Sequence, residues 1–377
     1  MKYQQRLDGD GPVNNGLCEE PLSIERTVSL RGTLILLIVV FHCSFYYHFE
    51  FPDIGHIAVA SFLFFSGYGL ELSLDRKRDY LNGFLTKRVF GILVQYWVIA
   101  ITIEVVGMLL YLDASGCFQR LSDALFKTPH WFVLEILVLY VLFFLTATLF
   151  RDRTILRLAV MTVSSFILSF MMYSHYGLVL FYLSCAGFAF GSVWYHIRKG
   201  IRMNLTLKIS LILASAVILL MFPGRAGTQG PTDMMSASVA CVASIILLTT
   251  LCMLDRRNGL VMDILVLLAG IVTFVFTDLD REGSAFLIFA SVATLILRSD
   301  ILEKATGFIG MMSFEMYLIH ETFYLYVWRE VTQCEPLAFV LSMVLSVVTS
   351  YIVYRASGYL MKRMNEGLSR DPVTTWE

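Results

Sequence analysis

Charge is scarce in this chain. Only 16% of its 377 residues are Asp, Glu, Lys or Arg, against about 25% in ordinary soluble domains. The two signs nearly cancel, with 29 basic and 30 acidic residues, so no basic excess argues for nucleic acid. Cysteine supplies no framework either. Its seven copies stand at positions 18, 43, 117, 185, 241, 252 and 334, without a C-x-x-C pair or a His/Cys cluster at zinc spacing. A small disulfide scaffold is excluded and no metal is expected. Long polar loops are missing too, which leaves no room for a soluble catalytic domain between the apolar blocks. Any chemistry has to be done by those blocks and their short connections.

What remains is apolar. Hydrophobic residues make up 57% of the chain and mean hydropathy is +0.70. They gather into uncharged blocks of the length a bilayer core requires, roughly 20 residues per spanning helix. The first half gives blocks at 29–48, 54–74, 90–112, 130–150, 155–173 and 177–196. The second half gives 206–222, 236–254, 260–276, 283–298, 305–328 and 336–361. Backbone polar groups in lipid must be satisfied within their own segment, so the blocks are expected to be helices. The alternating segments of about ten residues that mark a transmembrane barrel are absent from the pattern. The fold class predicted is all-α, a polytopic bundle of about 10–12 spanning helices. A flexible tail is expected over residues 1–28, the membrane domain over 29–361 and a second tail over 362–377.

Lysine and arginine set the expected orientation. The connection 75–89 carries Arg76, Lys77, Arg78, Lys87 and Arg88, and those at 151–157, 196–208 and 254–259 are basic as well. The intervening connections are poor in both residues. By the positive-inside rule both termini are expected in the cytoplasm, in a multi-pass protein integral to the cell (cytoplasmic) membrane.

An ionisable side chain inside a spanning helix costs roughly 2.5–3.5 kcal/mol on insertion scales, so each one calls for an explanation. Arg31 stands at the inner end of the first block and His42 lies 11 residues on. That spacing is three helical turns plus about 20°, a rise of ~16 Å, which puts both on one face with the imidazole expected near mid-membrane. Arg31 alone suits a snorkelling cation, and His42 alone suits a hydrogen-bonded core histidine. An imidazole at that depth also suits a general base. In the second block, Gly67 and Gly69 follow Ser66 and are expected to allow close helix approach. Lys87-Arg88 precede the third block, either as a topology anchor or as a grip for phosphates. The fourth block opens with His130, Trp131 and Phe132, followed by the intramembrane carboxylate Glu135. Late in the chain, Tyr317 and His320 share a helix face.

Taken together and in this order, these residues resemble the membrane-bound acyltransferase family 3. Arg31 and His42 match its R-X10-H signature, and Phe64-Phe65-Ser66-Gly67-Tyr68 is similar to its F-F-x-S-G-[FY] segment. Trp131-Phe132 and the set Ser313, Phe314, Tyr317, Leu318, His320 follow in the family's order. The match to the family's R-x-x-R is incomplete, because Arg88 is present but Gly91 stands where the second arginine should be.

The resemblance implies an integral membrane enzyme, O-acetyltransferase-like, that moves an acyl group. The donor would be acetyl-CoA or another acyl-CoA, and the acceptor a hydroxyl of a carbohydrate or lipid-linked cell-envelope molecule. His42 would be the essential histidine, as base or acyl carrier, with Arg31 as its partner and Glu135 to orient or charge-balance the ring. Arg88, Lys87 and Arg31 would bind the donor. Ser66, Trp131, Tyr317 and His320 would line the substrate. Acyl-CoA, the acceptor and membrane lipid are the expected partners, with no nucleic acid and no metal. The rival reading of the same residues is a multi-helix transporter or flippase of envelope precursors, whose buried Glu, Asp and His would serve as proton relays.

Overall fold

A computed structural model describes residues 23–47, 51–52, 54–111, 116–126, 131–176, 179–201, 203–221, 231–277 and 281–368. Among the described residues there are fourteen α-helices and no strands, the all-α architecture that the apolar blocks require. The first half holds α1 (Ile24–Tyr47), α2 (Gly55–Arg76), α3 (Gly91–Tyr111), α4 (Cys117–Phe126), α5 (Trp131–Leu149), α6 (Thr154–Tyr176) and α7 (Val179–Gly200). The second half holds α8 (Leu205–Met221), α9 (Pro231–Cys252), α10 (Arg256–Phe276), α11 (Arg281–Leu297), α12 (Asp300–Met311), α13 (Ser313–Tyr326) and α14 (Glu335–Leu368). A π-helical turn, Leu85–Phe90, leads into α3.

Among the described residues, seven helical stretches are long and apolar enough to cross a membrane, or eight if the bent pair α11–α12 counts as one span. Their outward surfaces suit lipid. On α10, Val261, Ile264, Leu268, Val272 and Val275 are all exposed, at helical spacing. Val340, Val344, Val348 and Ile352 make a similar stripe on α14. Such faces would be a liability in water and are the expected surface in a bilayer.

The expected single block 305–328 is instead two helices that meet at Met312, and α11 and α12 are bent by 108°. Arg298, at that bend, explains how the turn is held. Its Nε donates to the Asp263 carboxylate at 2.6 Å and its Nη2 to the Leu251 carbonyl at 3.0 Å. Asp263 is fully buried and also accepts from the Thr294 hydroxyl at 2.8 Å. A second buried carboxylate, Glu71 on α2, accepts from Arg157 on α6 at 2.7 Å and contacts His196 Nε2 on α7 at 2.9 Å. Charges taken out of water are retained only when paired, and these pairs clamp α10 to α11 and α2 to α6 and α7. Outside the spans, Asp255 caps α10. Hydrogen bonds from the Asn258 side chain and backbone hold its carboxyl below the usual range.

Backbone crossings complete the bundle. A Cβ on Gly67 would collide with the Phe188 carbonyl, and on Gly187 or Gly191 with the carbonyls of Ala60 or Phe64. The contact between α2 and α7 is therefore backbone against backbone. A Cβ on Gly32 would meet the Thr306 carbonyl, and on Gly310 the Val28 carbonyl, so α12 crosses α1 as tightly. Gly69 corrects the sequence reading, because nothing lies within 4 Å of where its Cβ would be. Two residues apart, the glycines stand on nearly opposite faces of α2, and only Gly67 is on the face that meets α7. The tail expected over 1–28 lies mostly outside the described residues, but α1 already begins at Ile24, and α14 continues to Leu368, past the expected 361.

Three outcomes follow for thermal melts of the purified protein. Gly67→Ala should destabilise by about 1–3 kcal/mol through overpacking, whereas Gly69→Ala should be neutral or stabilising by up to about 1 kcal/mol. Arg298→Leu, which strands the buried Asp263 carboxylate, should cost roughly 3–5 kcal/mol.

Candidate active site

Polar side chains from α1, α2, α5 and α13 come together in the bundle. A cavity of about 160 Å³ opens between α1, α2, α5 and α13, beside the π-helical turn that precedes α3. Arg31 and Arg88 bring two guanidinium groups to it, and Tyr140 lies within electrostatic reach of Arg31. Ser66 and Phe62 line it from α2, Ser313, Phe314 and Tyr317 from α13. From α5 come Phe132, Ile136 and Tyr140, spaced four apart as one helix face must be. Phe132 and Tyr317 lie with ring centroids 4.7 Å apart. Eight residues of α5 separate Tyr140 from Phe132, a rise of about 12 Å, so the cavity runs along the bundle from the arginines toward Tyr317.

Just beyond Tyr317 is a pair of histidines. The rings of Tyr317 and His320 are 6.1 Å apart, and His320 stacks on His42 at 4.9 Å with the planes 6° apart. His42 Nδ1 stands 2.7 Å from His320 Nε2, and His320 Nδ1 stands 2.9 Å from the Met316 carbonyl oxygen. The Glu321 carboxylate is 3.6 Å from the same His42 Nδ1. His320 is 1% exposed, whereas a quarter of the His42 side chain is open. A further tie holds the seam together, because the Tyr324 hydroxyl donates to the Val39 carbonyl at 3.2 Å. His42 lies five residues from the last residue of α1, Tyr47, and so sits toward that end of the helix rather than at its middle.

One ligand atom each from His42, His320 and Glu321 falls within 4.8 Å of the others, which is within reach of a single ion. Two imidazole nitrogens on a tetrahedral zinc stand about 3.3 Å apart, given Zn–N bonds of ~2.0–2.1 Å. At 2.7 Å the two histidine nitrogens are at hydrogen-bond distance instead.

The structure therefore brings Arg31, Ser66, Arg88 and Tyr317 to one cavity, and His42 and His320 to its far end. Others stand elsewhere. Lys87 is exposed beside Arg88 and is not part of the cavity wall. Trp131 packs edge-on against Phe132 and is not part of the cavity wall. Glu135 is wholly buried on α5, between the wall residues Phe132 and Ile136 in sequence. His320, expected to line the substrate, is engaged with His42. Gly91, where the second arginine of R-x-x-R was expected, is the first residue of α3. Sequence reasoning gave Tyr140, Ile136 and Glu321 no role. Glu321 carried a usable signal, as a carboxylate directly after a histidine in an otherwise apolar segment.

Comparison with known proteins gives one match, to a family. The model of the family 3 acyltransferase domain matches residues 29–277. That span includes Arg31, His42, Ser66, Arg88 and the α5 wall but ends before α13, which the fold nonetheless sets against His42. No curated protein and no solved structure matches the chain significantly. The matched span is well over half of the protein, and together with its several membrane-length apolar helices it makes this chain a multi-pass membrane acyltransferase belonging to acyltransferase family 3.

Proposed function

We propose that the protein transfers an acyl group, acetyl in preference, from acyl-CoA to a hydroxyl of a carbohydrate or lipid-linked envelope acceptor. One observation carries this reading: a single cavity leads from two guanidinium groups to Tyr317, next to a paired imidazole. Arginine suits phosphate oxygens through bidentate, charge-assisted hydrogen bonds. Arg31 and Arg88 would hold the nucleotide phosphates of the donor, and the flexible arm would lie along the cavity. The ~16 Å rise from Arg31 to His42 is of the order of an extended pantetheine arm, so the thioester would arrive beside the imidazole. The close approach of Phe132 and Tyr317 narrows that end, which favours a short acyl group.

His42 then acts as the base. It takes the proton from the acceptor hydroxyl as the oxygen attacks the thioester carbonyl carbon. A C–O bond forms, the C–S bond breaks, and the departing thiolate takes the proton back from the imidazolium. The variant in which His42 first carries the acyl group itself uses the same placement. One feature favours group transfer over the transporter reading. The cavity has two arginines in its wall and reaches Tyr317, beside the paired imidazoles, an arrangement that suits a donor anchored away from its reacting carbon.

Purified protein should be stabilised against heat by acetyl-CoA, and membranes should gain O-acyl esters on an envelope glycan only when the protein is present. His42→Ala should lower acyl transfer by roughly 10²–10⁴-fold, the usual contribution of a general base, while the acetyl-CoA stabilisation persists. Full activity in a folded His42→Ala protein would sink the reading. Arg88→Leu should raise the KM for acyl-CoA about tenfold or more, as loss of a charge-assisted hydrogen bond does, with a smaller effect on kcat.

A further inference from the structure

The geometry points to His320 as a positioning residue that holds His42 in the one neutral tautomer with its lone pair on Nε2. This rests on the reading of His42 as base. The argument begins at the Met316 carbonyl oxygen, which can only accept a hydrogen bond. His320 Nδ1 lies 2.9 Å from it and must therefore carry a hydrogen. In a neutral imidazole the other nitrogen then holds the lone pair. His320 Nε2 accordingly accepts from His42 Nδ1 across their 2.7 Å contact. With its hydrogen on Nδ1, His42 has its proton-accepting lone pair on Nε2.

The alternatives set like against like. With the opposite tautomer of His320, a lone pair would face the Met316 carbonyl. With the opposite tautomer of His42, two lone pairs would face each other at 2.7 Å. A second proton on His320 would place a charge on a ring that is 1% exposed, the costly case for a buried group. Glu321 completes the arrangement. Its carboxylate, 3.6 Å from His42 Nδ1, lies on the hydrogen-bearing side of the ring and offsets the positive charge that forms when Nε2 takes the acceptor's proton. The order carbonyl, imidazole, imidazole plays the part that a carboxylate plays for the imidazole of a hydrolase triad, where the wrong tautomer lowers kcat about 10⁴-fold.

Two measurements test this. In kinetics with acetyl-CoA, His320→Leu, which deletes the acceptor, should lower kcat by about 10²-fold or more with the KM for acetyl-CoA nearly unchanged. His320→Gln, whose amide oxygen can accept from His42 Nδ1, should recover most of that loss. A His320→Leu enzyme with wild-type kcat, a KM that rises as kcat falls, or a His320→Gln enzyme as inactive as His320→Leu would each overturn the proposal. The second measurement needs no activity and covers the case in which His320→Leu fails to fold. In full-length protein labelled with ¹⁵N-histidine, the His42 ring signals, identified by their loss in His42→Ala, should show hydrogen on Nδ1 and none on Nε2. Hydrogen on Nε2 would overturn the assignment. An active His42→Ala protein beside the expected ¹⁵N pattern would instead remove the catalytic reading and leave the tautomer standing.

Discussion

A hydrogen bond between two imidazoles ties the first helix of this protein to the thirteenth, and the candidate site is built around it. Inside a bilayer a polar side chain has to find its partner within the protein, because neither lipid nor water is available to serve. His42 on α1 finds His320 on α13 at 2.7 Å, Tyr324 on α13 finds the Val39 carbonyl on α1, and the two helices are set side by side. The cavity follows from that seam. Arg31 lies three turns from His42 on α1, and Ser313, Phe314 and Tyr317 precede His320 on α13, so α1 and α13 together with α2 and α5 line a cavity in which two arginines face a largely aromatic wall.

The tight crossings make this placement rigid. Gly32 and Gly310 let α12 lie backbone to backbone against α1, beside Arg31. Gly67, Gly187 and Gly191 do the same for α2 and α7, beside Ser66. Packing of this kind supplies the association energy that the hydrophobic effect cannot supply between helices in lipid. The buried pairs Glu71 with Arg157 and Asp263 with Arg298 add direction to it. Removing one partner leaves a charge without compensation, so each pair admits few alternative arrangements of its helices.

The parts of this that were legible in the sequence are those governed by local spacing. Eleven residues from Arg31 to His42 fix a rise and a shared face in any α-helix, and α1, continuous from Ile24 to Tyr47, keeps both. The uncharged runs likewise dictated helices, most of them within a few residues of where they end. Long-range facts were not legible. Gly67 and Gly69 look alike in the chain, and only the position of α7 decides that one is a crossing point and the other is open. Nothing in the run 305–328 announces the break at Met312, where α12 ends and α13 begins. His320 and Tyr317 were placed on one face correctly, yet whether His320 meets a substrate or another imidazole depends on a helix 278 residues away. Lys87 shows the converse, a basic residue next to Arg88 in the chain that is not part of the cavity wall.

Two helices measure the same distance independently. Along α1, Arg31 and His42 are separated by a rise of about 16 Å. Along α5, Tyr140 lies near Arg31 and Phe132 lies against Tyr317, a rise of about 12 Å, and one further turn of α13 from Tyr317 to His320 brings the total close to the same length. A site that only stabilised the bundle would have no reason to keep its cations at one end of this ruler, its imidazole at the other and a cavity between. A site that joins a phosphate-bearing donor to a hydroxyl acceptor does. The anchor must sit far from the reacting carbon, because the donor's charge lies at the opposite end of its arm from the thioester. The base must sit where the acceptor can reach it, and a quarter of the His42 side chain is open there. The separation of anchor and base along α1 is thus what the proposed chemistry demands of the fold.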